Sequence, residues 1–214
     1  MSIAAKLKNR VAGWGPSLAH ADNALIKQVG LFRLIREDLG RHNLDWTTPG
    51  FRAMAVYRFG VWAKTIRFAP LRLYFLFWHA LMFRYVRNNY GIELYATSKI
   101  GRWVLIGHQN GIVIHRFATI GDHCLIRQGV TFGEAGIGRD NFADGLGPVV
   151  GNGVDIGAGA VIIGNVKIGD EVRIGPNAVV MTDVPAHATV LAPTSKILVR
   201  VKPMERSEAD TSAA

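Results

Sequence analysis

The chain has 214 residues and a single cysteine, Cys124, so no disulfide can close within one molecule. That scarcity suits a reducing compartment. No stretch approaches the roughly 20 apolar residues of a membrane span. The longest candidate, residues 71–86, is interrupted by Arg72 and Arg84. The first fifteen residues lack a long apolar core before a small-residue cleavage site, so no signal peptide is expected. Acidic residues are few, 16 against 25 Lys and Arg, which leaves a formal charge of +9. Such an excess predicts an anionic partner: nucleic acid, a membrane surface or a phosphate-rich cofactor. Nucleic acid ranks last, because no helix-turn-helix, zinc-finger or RNA-binding signature is present. The expected location is the cytoplasm, with the inner face of the membrane as an alternative.

What the sequence does have is glycine, 24 residues, much of it in a six-residue rhythm between Ile100 and Val180. Ile100-Gly101 is followed by Ile106-Gly107, Ile120-Gly121, Ile126 and Phe132-Gly133. After a break come Val150-Gly151, Ile156-Gly157, Ile162, Ile168-Gly169, Ile174-Gly175 and Val180. A period of six matches neither a helix nor one alternating strand. It matches a β-helix of very short strands that turn a corner after each repeat. The aliphatic residue is expected to point inward, and the following glycine to supply a tight bend or positive φ.

Ahead of the repeats the pattern is helical. From about Asp22, Leu25, Val29, Phe32 and Ile35 or Leu39 form an apolar stripe, with Lys27, Glu37 and Asp38 on the far side and Gly40 as the stop. A second helix is expected from Pro49 to Thr65. The third segment, 71–86, is rich in Leu, Phe, Trp and Tyr with arginines at its ends. It reads either as a helix packed on neighbours or another subunit, or as an interfacial helix giving peripheral membrane contact through residues 71–87. The expected organisation is α+β: a loose end over 1–22, an α-helical domain over 23–90, a β-helix over 91–200 with a loop at 133–149, and a polar tail over 201–214.

Two irregularities in the repeats point to chemistry. The step from Ile106 to Ile114 is eight residues, and its two extra positions accompany His108. Between Phe132 and Val150 a polar, glycine-rich run breaks the register, and solenoids extrude such insertions as loops on a binding face. His115 and Asp122-His123-Cys124 suggest a metal at first sight. Adjacent strand residues point to opposite faces, however, and no second cysteine completes a zinc set, so no metal is expected.

The stretch GIELYATSKIGRWVLIGHQNGIVI, the broken coil and VGNGVDIGAGAVIIGNVKIGDEVRIGPNAVV resemble the serine acetyltransferase branch of the hexapeptide acyltransferases. The resemblance covers roughly residues 25–200 and implies an N-terminal α-helical domain followed by a left-handed parallel β-helix. It implies acetyl-CoA as co-substrate and a homotrimer or hexamer. His108 matches the general base, whose imidazole removes the acceptor hydroxyl proton as that oxygen attacks the thioester. Glu93 stands where the family has the aspartate that orients this histidine. Backbone around Gly159, Ala160 and Ala178 matches the pantetheine groove, and Lys196 the basic position near the cofactor phosphates. Asp45 and Arg139 match the acceptor side; Asp38 lies in the same acidic region. Two departures concern the acceptor. Gly107 replaces the family's aspartate before the histidine, and the loop's Asp-Arg-His-Pro motif has lost its histidine, leaving Arg139-Asp140-Asn141 and later Gly147-Pro148. The expectation is therefore an O-acetyltransferase acting on a sugar or polysaccharide unit. The alternatives are serine O-acetylation for cysteine synthesis and a catalytically silent scaffold.

Overall fold

The eleven residues that set the six-residue register are all buried, from Ile100 at 4% exposure to Ile156 and Ile162 at 0%. The computed structural model describes residues 24–133, 147–196 and 198. Its strands, β1 to β14 in chain order, are two or three residues long and form three parallel sheets. The first face holds β1 (Ile92–Leu94), β4 (Ile112–Ile114), β7 (Thr131–Gly133), β10 (Val161–Ile163) and β13 (Val179–Val180). The second holds β2 (Lys99–Ile100), β5 (Thr119–Ile120), β8 (Val149–Val150) and β11 (Lys167–Ile168). The third holds β3 (Leu105–Ile106), β6 (Leu125–Ile126), β9 (Asp155–Ile156), β12 (Arg173–Ile174) and β14 (Thr189–Val190). Like stacks on like: Ile106 pairs with Ile126, Ile126 with Ile156, and Ile156 with Ile174. Each coil thus adds one aliphatic residue per face to such a column.

The glycine after each aliphatic residue is there for a different reason from the one its sequence suggests. Gly101, Gly107, Gly121, Gly151, Gly157, Gly169 and Gly175 are not among the positive-φ residues. A Cβ on Gly121 would lie 2.5 Å from the Gly151 carbonyl oxygen, and one on Gly157 would lie 2.6 Å from the Pro176 nitrogen. Close approach of the next coil excludes a side chain at Gly101, Gly121, Gly151, Gly157 and Gly169. The left-handed conformations fall at the corners instead. One column runs Trp103, His123, Gly153, Glu171 and His187; another runs Gly111, Gly129, Gly159 and Asn177. Successive corners are tied by amides, such as His123 N–H to Arg102 O and Gly159 N–H to Gln128 O, 2.8 and 2.9 Å. His123 lies parallel to Trp103, ring centroids 6.3 Å apart, and so serves the corner stack. Cys124 is fully buried, and burial pushes its thiol up to about 11.

Four helices precede the coil among the described residues: α1 (Ala24–Val29), α2 (Leu31–Arg41), α3 (Pro49–Ala63) and α4 (Ala69–Tyr90). Gly30, with φ 87°, splits what reads as one helix, and the stop is at Arg41 rather than Gly40. The expected stripe is also shifted: Ile26 and Leu34 are buried, whereas Phe32 is 86% exposed. Glu37 and Asp38, expected on the outer face, are buried because arginines reach them. Arg58 of α3 donates to both Asp38 oxygens, at 2.9 and 3.3 Å, and to the carbonyls of Ile100 and Gly101, at 2.9 and 2.6 Å. Arg102 donates to Glu37 through Nε and Nη2, 2.9 and 2.5 Å. Tyr57 donates to the Ser98 carbonyl and accepts the Ile100 amide, 2.9 and 3.1 Å. Polar bonds therefore fix the helices to the first coil.

Candidate active site

His108 sits on the bulge between β3 and β4, at the corner joining the third face to the first. Its ring is exposed and has no hydrogen-bond or ion-pair partner among the described residues. The bulge is nevertheless anchored. Asn110 N–H donates to the Tyr90 carbonyl at 2.9 Å, Ile112 N–H to Gly91 O at 3.0 Å, and Gly129 N–H to Asn110 O at 2.9 Å. Gly91 ends α4 with φ 62°, and a Cβ there would lie 3.1 Å from both Asn110 Cα and Gly111 N. The helix terminus and the bulge thus fix each other.

The end of the helical domain adjoins the bulge through His42 and Tyr90. His42 Nδ1 lies 2.6 Å from the Asp38 carbonyl, and its Nε2 accepts the Ile106 amide at 3.3 Å. That pairing requires the neutral ring with the proton on Nδ1, and burial holds its pKa below the ordinary value. Asp45 Oδ1 accepts the Thr47 amide and hydroxyl, 2.8 and 2.5 Å, which lowers its pKa and shapes the turn into α3. Arg52, a position sequence reading passed over, donates to the Tyr90 hydroxyl at 2.7 Å and to the Trp46 carbonyl at 3.3 Å. Its guanidinium also lies over the Trp46 ring, 5.5 Å from the centroid. Arg52 and Trp46 are thereby fixed beside the residue that holds the His108 bulge. An arginine within an apolar helix, a feature it shares with Arg58, was the only signal for it.

The remaining predicted residues are distributed as follows. Glu93 is half-buried on β1, paired with Val113 five residues beyond His108, and its carboxylate accepts the Tyr95 hydroxyl. Gly159 takes φ 70° in the corner column that begins at Gly111, on the same edge as His108. Ala160 and Ala178 are buried, and their carbonyls already accept the Thr131 and Val161 amides at 3.0 and 2.9 Å. Lys196 is exposed beyond β14. Arg139 lies outside the described residues.

The two departures differ physically. A Cβ on Gly107 would meet Leu125 Cδ1 at 3.6 Å and Ile126 O at 3.8 Å, ordinary contacts, so a side chain fits. Gly147 is buried, and a Cβ there would lie 2.8 Å from the Phe117 carbonyl carbon and 2.9 Å from its oxygen. The position before Pro148, where the family motif has histidine, has no room for one. Gly133 and Gly147 also lie at the corner joining the first face to the second, whereas His108 lies at the other edge of the first face. A cleft of about 310 Å³, lined by Leu25, Leu34, Tyr57, Ile100 and Ile120 among others, opens beside the second face, away from the His108 corner.

Residues 147–181 match the family described as bacterial transferase hexapeptide (six repeats). The serine acetyltransferase of Synechococcus elongatus is 34% identical over 191 residues, 86% of this chain and 74% of that protein. That of Helicobacter pylori is 34% identical over 174 residues, 79% of this chain and 95% of that protein. Among solved structures, Neisseria gonorrhoeae serine acetyltransferase in complex with serine superposes with a TM-score of 0.60 at 26% identity, covering 78% of this chain and 68% of that one. Entamoeba histolytica serine acetyltransferase 1 in complex with L-cysteine gives 0.63 at 28% identity, covering 76% and 63%.

Proposed function

The chain belongs to the serine acetyltransferase family, left-handed β-helix enzymes that transfer acyl groups from acetyl-CoA, and on that premise we propose that it acetylates the hydroxyl of L-serine with His108 as general base. The observation that carries the reading is the His108 bulge: an exposed imidazole on the one coil widened by two residues and clamped by the end of α4. An exposed imidazole without a competing partner is the kind of group that serves as a general base. In the reaction the imidazole accepts the hydroxyl proton, and the oxygen attacks the thioester carbonyl. As the tetrahedral intermediate collapses, the C–S bond breaks and the proton passes to the departing CoA sulfur. Glu93, on the strand paired with β4, is the candidate to hold the imidazolium. Gly159 lies on the same edge and gives the pantetheine arm a surface without a side chain, Lys196 is its candidate phosphate contact, and Asp45, Arg52 and Arg139 are the acceptor-side candidates.

A saccharide acceptor is the second reading, supported by two observations. Gly147 is packed so closely on Phe117 that the family's loop histidine has no place, and the exposed Trp46 ring, 66% accessible, offers the flat apolar face on which pyranose rings stack. Acetyl-CoA turnover by the purified protein, followed as free thiol, tests both readings. L-serine is expected to support release, and His108→Ala to reduce it about 10²- to 10⁴-fold with CoA binding retained. Turnover with oligosaccharides or nucleotide sugars alone would transfer the reading to the second acceptor. Full activity in His108→Ala would refute the mechanism for either.

A further inference from the structure

Helix α4 has two unlike faces. Its inner face is committed: Phe75 packs on Phe59 and Trp62, centroids 5.9 and 5.0 Å away, and Phe83 on Tyr95 at 5.5 Å. The outer face carries Tyr74, Phe77, Trp78, Leu81 and Tyr85, at the i, i+3, i+4, i+7 and i+11 positions of one stripe, exposed by 55, 60, 46, 41 and 55%. No Asp or Glu occurs from Lys64 to Tyr90, while Arg67, Arg72, Arg84 and Arg87 mark the two ends of the helix. Such a stripe, apolar and aromatic with cations at both ends, is too large to leave in water without a function. No helix among the described residues is long and apolar enough to cross a membrane.

We propose that the outer stripe of α4 docks this protein on an anionic lipid surface, with the helix lying in the headgroup plane rather than crossing the bilayer. The chemistry favours this occupant over a twofold pairing of the stripe with its own copy. An isologous pairing would place the same arginine-flanked stripe on both sides, with no carboxylate on either stripe to receive the guanidinium groups. An anionic bilayer supplies phosphates for the arginines and an acyl boundary for Phe77, Trp78 and Leu81, while Tyr and Trp rings settle at the headgroup level.

Co-sedimentation of the full chain with large unilamellar vesicles tests the docking. One set of vesicles is phosphatidylcholine alone, and the other contains about a quarter phosphatidylglycerol. The partition coefficient onto the anionic set is expected to exceed that onto the neutral set by about tenfold or more and to fall in about 0.5 M NaCl. A Phe77→Glu/Leu81→Glu variant should lose about tenfold or more of that binding while its mass by light scattering stays unchanged. Arg67→Gln/Arg84→Gln alters exposed charges alone, so it serves should the first variant fold poorly. Its expected effect is loss of the preference for anionic vesicles. Wild-type protein left in the supernatant, or a variant that binds as well as wild type, overturns the proposal. So does a variant that falls to a smaller assembly while wild type ignores vesicles, which would make the stripe a contact between copies.

Discussion

The coil and the helical domain bury their interiors by opposite means. In the coil the buried columns are aliphatic and repeat every six residues; in the helical domain the interior also holds Glu37, Asp38, His42 and Arg58. The difference concerns where specificity resides. A coil residue is satisfied by the copies of itself above and below, so each layer contributes a similar small amount. A helical-domain residue such as Arg58 has four partner oxygens on two elements distant in sequence, and losing one partner strands the others.

The largest break in that contrast is expected from Arg58→Met. It leaves Asp38 buried without its cation and two coil carbonyls without donors, and should destabilise the protein by about 3–5 kcal/mol in denaturant unfolding. Asp38→Leu/Arg58→Met together should recover much of that loss, since the deficit comes from the stranded charge rather than from missing volume. Equal loss in the double variant would show that the pair itself, not its desolvation, holds the domain.

A second break acts through pH. His79 of α4 is packed where Gly60 lacks a Cβ, its Nε2 has no hydrogen-bond partner among the described residues, and burial lowers its pKa from 6.5 to about 4. The folded state therefore binds the proton less readily than the unfolded chain. Its stabilising effect is complete above pH 6.5 and is lost as the pH falls toward 4, amounting to about 3 kcal/mol at most. The buried His42 shifts in the same direction. Thermal unfolding midpoints recorded across that window should fall less steeply in His79→Phe. An unchanged slope would place the acid sensitivity elsewhere.

The smallest effect sharpens the coil side. Ile126→Val removes one methylene from a column in which Ile106 and Ile156 lie directly above and below. The expected cost is about 0.5–1.5 kcal/mol, with no change in the vesicle or turnover assays. A larger loss would mean that the coil is less modular than its repeats imply.

The same contrast explains what could be read beforehand. The coil's register was legible because a single repeating spacing encodes which residue each face buries. The reason for its glycines was not: close approach to the next coil and positive φ both select glycine, and only the backbone separates Gly121 from Gly129. The polar core was hidden for another reason. Glu37 and Arg102 are 65 residues apart, so Glu37 looked like an outward helix residue until its partner arrived from the first coil. At the site, His108 announced itself by an interrupted spacing, whereas Arg52 broke no pattern. The lack of room at Gly147 depends on Phe117, thirty residues earlier in the chain, and nothing local to the glycine signals it.

The Arg58 contacts also impose an order in time. During synthesis α2 and α3 leave the ribosome first, but the carbonyls that complete the guanidinium's shell belong to Ile100 and Gly101, the latter 43 residues downstream. At about 5–20 residues per second the nascent helices wait about 2–9 s for their other half. Throughout that interval Asp38 and Arg58 face water, and the apolar side of α3 has no coil to cover it. This pause is when a nascent-chain chaperone has most to shield, and it ends when the first coil closes.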